Sequence, residues 1–164
     1  MVTSGSIISD TGPLISLEKL ENGYQFIQKL YDKIVIAQVV IEELYQGEFA
    51  NWNDYKNYYN VNDCLTIVEE ELLILEVLKD LDKGEQQAIQ LAYNLQLPLL
   101  IEEEKGRRIA KQLGLKFSGI AGQIIKANRE NIISVDDGRK MLGELLKNGR
   151  IGKRMYYDLL EIII

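Results

Sequence analysis

The chain has 164 residues, 46% of them hydrophobic and 27% charged, the size and balance of one globular domain able to bury a sizeable core. It has no histidine and one cysteine, Cys64, which excludes a Ser-His-Asp triad, a Cys-His dyad, a His-ligated or four-cysteine zinc site and an internal disulfide. The net charge of −6 divides unevenly: residues 1–104 carry 6 Lys/Arg against 19 Asp/Glu, and residues 105–154 carry 13 against 4. An acidic half beside a basic half would set metal ligands next to a phosphate-binding surface. Two solvated faces would show the same bias.

Taken in chain order, Ser6-Ile7-Ile8-Ser9 reads as a short buried strand ending at Asp10, and Thr11-Gly12-Pro13 as a turn. Helical spacing follows over Leu14–Leu20 and Tyr24–Tyr31, then a strand over Lys33–Ile36 and a helix from Val39 to Gln46, stopped by Gly47. The Asn- and Tyr-rich stretch 48–62 predicts an irregular or weakly helical excursion. Leu65–Val68 reads as a strand, and the Leu/Ile spacing of Leu72–Leu81 predicts a helix ended by Asp82-Lys83-Gly84. Glu85 opens a further helix to Leu95. Leu97–Ile101 is a strand running into Glu102-Glu103-Glu104. Lys105–Leu113 is a helix with Gly114 as its stop, Lys116–Ser118 a last strand, and helices follow over Gly119–Arg129, Asp136–Lys147 and Lys153–Ile162. Strands alternating with helices imply a mostly parallel sheet covered on both faces, in one domain spanning 1–164. No apolar run approaches the ~20 residues needed to cross a bilayer. Met1–Gly5 lacks the basic start of a signal peptide, so a cytoplasmic protein is expected.

Without histidine, a hydrolase would have to work through carboxylates, alone or around a hard metal. In open α/β sheets ligands bind beyond the carboxyl ends of the strands. Asp10 follows the first strand and Glu102-Glu103 follow the fourth, while Glu43 and Glu85 can reach the same rim from helices. Like charges ~4 Å apart repel by roughly 4 kcal/mol at an effective dielectric near 20, so such a group stays ionised only beside a cation. Oxygen-only ligands point to Mg²⁺ or Mn²⁺ and to phosphodiester hydrolysis. Each acid also has a plainer explanation: Asp10 as a helix cap, Glu43 as a solvated helix residue, Glu85 and the Glu102–Glu104 run as ordinary helix starts favoured by the macrodipole.

The blocks Ile7-Ile8-Ser9-Asp10-Thr11-Gly12-Pro13-Leu14, Val40-Ile41-Glu42-Glu43-Leu44, Leu81-Asp82-Lys83-Gly84-Glu85-Gln86-Gln87-Ala88 and Leu99-Leu100-Ile101-Glu102-Glu103-Glu104-Lys105-Gly106-Arg107-Arg108 span nearly the whole chain. In that order they resemble the PIN-domain family, particularly its VapC-like toxin branch. The resemblance implies a three-layer α/β/α sandwich with a mostly parallel central sheet, Mg²⁺- or Mn²⁺-dependent ribonuclease activity, frequent homodimers and often an antitoxin partner. Carried over by position, the acids would be Asp10, Glu43, Glu85 and Glu102, with Glu103 a further metal ligand and Thr11 orienting a ligand or water. Lys105, Arg107, Arg108 and Lys111 occupy the helix just after Glu102, where some of them would contact RNA phosphates flanking the metal; Arg107 and Arg108 point about 100° apart, so one of the two is expected to face the cleft, and surface solubility is the plainer reading of all four. Two departures stand out: Glu102-Glu103 occupy positions that are usually Asp-Asp, and Ile120 stands where relatives often carry Thr or Ser. The lengthened side chains make a PIN-fold module without catalysis the alternative.

Asp10-Thr11-Gly12 is also the aspartic-protease triplet, but that all-β fold needs two such Asp residues, and this chain is helix-rich. The end of the chain, Tyr156-Tyr157 and Leu159-Leu160-Glu161-Ile162-Ile163-Ile164, is apolar enough to predict packing back on the domain, or a dimer or antitoxin surface.

Overall fold

In the computed structural model, which describes residues 5–164, five short strands form one parallel sheet. They are β1 (Ser6–Ser9), β2 (Lys33–Ala37), β3 (Leu65–Val68), β4 (Leu99–Leu100) and β5 (Phe117–Ser118), in the order β3-β2-β1-β4-β5. Ile7 lies opposite Ile34 and Ile8 opposite Leu99, so β1 is the hydrogen-bonded centre. Nine helices are found among the described residues: α1 (Thr11–Glu18), α2 (Gly23–Gln28), α3 (Gln38–Tyr45), α4 (Trp52–Tyr59), α5 (Lys83–Leu95), α6 (Glu104–Gln112), α7 (Ile120–Arg129), α8 (Val135–Lys147) and α9 (Lys153–Ile162). Met1–Ser4, on which the absence of a leader was read, lie outside the described residues.

Alternation along the strands divides the core in two. Ile7, Ile34, Ile36 and Leu100 face one layer, built from α1–α4 and α7–α9. Ile8, Val35, Ala37, Leu99 and Ile101 face the other, built mainly from α5 and α6. Strands buried on both faces read as unbroken apolar runs, which is why Ile7-Ile8 and Ile34-Val35-Ile36 carry no polar alternation. The result is the expected three-layer α/β/α architecture. No helix of the described residues is long and apolar enough to cross a membrane.

Several expected boundaries move. The first helix begins at Thr11, because Pro13 falls in its first turn, where backbone N–H groups have no helical acceptor to lose. The stretch 48–62 contains a definite helix: Asn51 accepts from the Asp54 N–H at 2.9 Å, Asn60 closes it at φ 55°, and Trp52, Tyr55 and Tyr59 share one face. Leu72–Leu81 is not a helix. It is extended chain with one 3-10 turn, Glu76–Leu78. Leu72 and Ile74 pack on the core while Leu73 is 94% exposed, a period of two, and the Gln90 side chain accepts the Leu75 N–H at 2.8 Å in place of a helical carbonyl. At the other end, Ile163 is buried over Gly138 and Ile133, and the Ile164 N–H donates to Asn128, so the tail does pack back.

Candidate functional site

The chain runs from β1 outward through β2 and β3, then returns to place β4 and β5 on the other side of β1. The order reverses between β1 and β4, the position where open α/β sheets form a crevice at their carboxyl edge. Asp10 leaves the end of β1 and Glu102 follows Ile101 just past β4. A cleft of about 410 Å³ opens there, lined by Asp10, Thr11, Glu43, Asp82, Glu102 and Glu103 together with Arg150.

Asp10 sits at the N-cap of α1 but makes no capping bond with its side chain. Burial raises its carboxyl to about 6, against a bond from the Thr11 backbone, and Asp82, Glu43 and Glu103 push it further up. Glu85, in the first turn of α5, is only 7% exposed. Burial lifts it to about 8, with Asp82, Asp10 and Glu103 adding to the shift. Its Oε2 is buried without a hydrogen-bond partner, a costly state for a carboxylate. Thr11 Oγ1 donates to Glu43 Oε2 at 2.7 Å, engaging that carboxylate from α3.

Space for the acids comes from glycines. A Cβ on Gly84 would stand 2.7 Å from Glu43 Oε1 and 3.3 Å from Asp10 Oδ1, and one on Gly106 would meet Glu85 Oε2 at 2.6 Å. A Cβ on Gly119 would press Glu102 at 3.2 Å. The carboxylates of Asp10 and Glu43 thus meet over a floor that any side chain would fill.

Glu102 is handled differently. Ser16 Oγ donates to its Oε1 at 2.8 Å, the Ile120 N–H donates to its Oε2 at 3.1 Å, and Arg150 Nη2 lies 3.4 Å from Oε1. The expectation that Glu102 joins Asp10, Glu85 and Glu103 in one tight ligand group therefore needs amending, since its oxygens are directed at Ser16, Ile120 and Arg150. Among the described residues, no three Cys, Asp or Glu side chains stand close enough together, as they are, to hold a metal ion. The donor set nevertheless suits a hard divalent cation. It is all oxygen, and it holds a partnerless carboxylate oxygen and two carboxyl groups held above their usual range by burial and by neighbouring acids.

Among the basic residues, Arg107 lies over the Phe117 ring at 5.4 Å, and Arg108 makes an exposed ion pair with Glu104 at 3.9 Å. Both line, with Lys111, a shallow groove that shares Glu102 with the acidic cleft. Both arginines line this groove, and neither lines the acidic cleft beside it. Lys105 instead donates to the Asp80 carbonyl at 3.4 Å.

Asp82, Ser16 and Arg150 were not singled out from sequence as site residues. For Asp82 a signal existed: it caps α5 by accepting from the Glu85 N–H at 2.9 Å, the Asp-x-x-Glu pattern of a helix start. Ser16 is a polar residue inside the apolar run Leu14-Ile15-Ser16-Leu17. Arg150, in a turn, carries no local signal at all.

A family model described as a PIN domain matches residues 6–163. Among solved structures, a PilT N-terminus domain protein from the archaeon Sulfolobus solfataricus P2 is similar at 18% identity, with a TM-score of 0.43 over 69% of this chain and 84% of its own. None of the curated proteins is significantly similar to the chain.

Proposed function

We propose, from the premise that the chain belongs to the PIN-domain family, that it is a divalent-metal-dependent endoribonuclease hydrolysing RNA phosphodiester bonds at the cleft between β1 and β4. One observation carries the reading: Asp10 and Glu85, from different elements, are both buried and near enough for the charge of Asp10 to raise Glu85, neither is in an ion pair among the described residues, and Glu85 Oε2 has no hydrogen-bond partner. With both groups ionised, a buried pair of this kind is uncompensated within the protein, so its charged form calls for a cation from outside.

Asp10 and Glu85 would hold the ion, Mg²⁺ or Mn²⁺, with Glu43, Asp82 and Glu103 around it. The ion would supply a Lewis acid for the phosphoryl oxygen and for the attacking water. Thr11 keeps Glu43 in one rotamer through its 2.7 Å bond, so this acid is oriented before any ligand arrives. Glu85, held at about 8, carries a proton at neutral pH and must release it on loading, which makes cation uptake favour alkaline pH. Arg107, Arg108 and Lys111 form the adjoining cationic side, placed for the phosphates flanking the scissile bond.

Titrating Mn²⁺ by calorimetry and then assaying RNA cleavage tests the reading. Asp10→Asn is expected to abolish most of the Mn²⁺ heat and to slow cleavage by about 100-fold or more. Cleavage that persists in Asp10→Asn sinks it. The second reading, a PIN-fold binding module without catalysis, draws on the acids not closing to ligand spacing and on Glu102 being turned toward Arg150; it is favoured if RNA binds and is not cut with Mn²⁺ at saturation. A role as the toxin of a toxin–antitoxin pair, a homodimeric state and a cytoplasmic location extend the proposal, and the mass of the purified chain alone and with its co-expressed genomic neighbour tests the first two.

A further inference from the structure

Arg150 is the feature of the cleft that the family reading leaves unused. It stands in the turn between α8 and α9, and its backbone is pinned there. Gly149 adopts φ +71°, its N–H donates to the Leu146 carbonyl at 3.0 Å, and the Arg150 N–H donates to the Leu145 carbonyl at 2.8 Å. This Schellman-type ending stops α8 and projects the next side chain inward. From there Nε donates to Ser16 Oγ at 2.9 Å, and Nη2 reaches the Gly12 carbonyl at 3.0 Å and Glu102 Oε1 at 3.4 Å. The arginine and Glu102 side chains are 27% and 23% exposed, so the pair is largely shielded from solvent. Ser16 links them a second time, accepting from the guanidinium and donating to the carboxylate.

Resting on the nuclease reading above, we infer that Arg150 is the built-in cation of the cleft, a positioning residue that holds Glu102 out of the metal's ligand set and so divides the acids into a metal half and an arginine half. The carboxylate oxygens of Glu102 are already engaged by Ser16, Ile120 and Arg150. Asp10 and Glu85 are in no such ion pair among the described residues. A metal therefore gains most by entering the Asp10–Glu85 half, where it relieves repulsion, and least at Glu102, where it must first displace a guanidinium. Arg150 lines the cleft, and its printed bonds use Nε and Nη2, so the N–H donors of Nη1 would be available to a phosphate oxygen of the substrate.

Two measurements on the full chain test this, using Glu102→Gln, Arg150→Met and the double variant. The first needs no metal: thermal unfolding. Arg150→Met should lower the melting temperature by about 4 °C or more, and adding Glu102→Gln should restore most of that loss, because the unpaired carboxylate is then gone. Losses that simply add overturn the ion pair. The second is Mn²⁺ titration. Glu102→Gln should change Mn²⁺ affinity by less than about twofold, whereas Arg150→Met should tighten it or add a second ion, and the double variant should cancel that gain. A tenfold weakening in Glu102→Gln overturns the division of the cleft. An unaltered chain that takes up no Mn²⁺ defeats the nuclease reading and the metal half of this inference together, while the unfolding cycle still decides whether Arg150 neutralises Glu102.

Discussion

The two ends of α1 each carry an acid drawn out of solvent, Asp10 buried and Glu18 half-buried, and the two are built in opposite ways. Asp10 stands at the start of the helix, where the macrodipole favours negative charge, and Glu18 is the last residue, where the dipole opposes it. Burial raises both carboxyl groups. Glu18 nevertheless has its partners: Tyr55 donates to its Oε2 at 2.6 Å, Tyr24 and Tyr55 share a 2.7 Å bond behind it, and Tyr59 adds a further one. Asp10 and its neighbour Glu85 have acids around them instead. A raised carboxyl group is therefore no mark of function. What separates the two sites is that one is satisfied by hydroxyl groups inside the fold, and the other is left short of positive charge.

That contrast can be broken by experiment, the most sensitive point being the floor of the cleft. Gly84→Ala would set a methyl group 2.7 Å from Glu43 Oε1, the free end of a side chain that can swing away, so the fold should survive. The site should not: Mn²⁺ affinity is expected to fall about tenfold or more, as for other residues that orient ligands, with little change in melting temperature. Unchanged affinity would mean that Glu43 and Asp10 need not meet.

A smaller effect concerns pH. Asp10 and Glu85 titrate at about 6 and about 8 in the folded chain, above the ordinary values of 3.8 and 4.5 that they take when unfolded. The folded form then binds more protons than the unfolded one between those limits, so stability without metal should fall as pH rises from about 4 to about 8. Glu85→Gln should flatten the upper part of that decline, and saturating Mn²⁺ should do the same. A decline left untouched by both would place its origin elsewhere.

The smallest change is expected at the satisfied end. Tyr55→Phe removes the 2.6 Å bond to Glu18 and should cost about 1–3 kcal/mol in urea unfolding, while Mn²⁺ binding stays as it was. Loss of Mn²⁺ affinity in this variant would join the two ends of α1 into one site and erase the comparison.

Much of this arrangement was legible in the chain. Ile7-Ile8-Ser9 before Asp10 and Leu99-Leu100-Ile101 before Glu102 mark buried strands that deliver acids to one edge, and the structure places both acids on one cleft. The helix expected over Leu72–Leu81 failed because spacing in a run rich in Leu and Ile cannot separate a period of 3.6 from one of two, and Gln90 decides the matter from another helix. Asp82 could have been found from its cap pattern. Arg150 could not, because its partners lie far away in the chain and nothing in Lys147-Asn148-Gly149-Arg150 points to them.

The guanidinium of Arg150 reaches Ser16 across 134 residues and Gly12 across 138. Contacts that close so long a loop form late, after the entropy of bringing distant segments together has been met. A chain cut between α7 and the Gly149–Arg150 turn would still own every acid of the cleft and all five strands, yet would present Glu102 without its guanidinium. The turn after α8 thus decides whether the acid that follows β4 is neutralised, long after the chain has passed it.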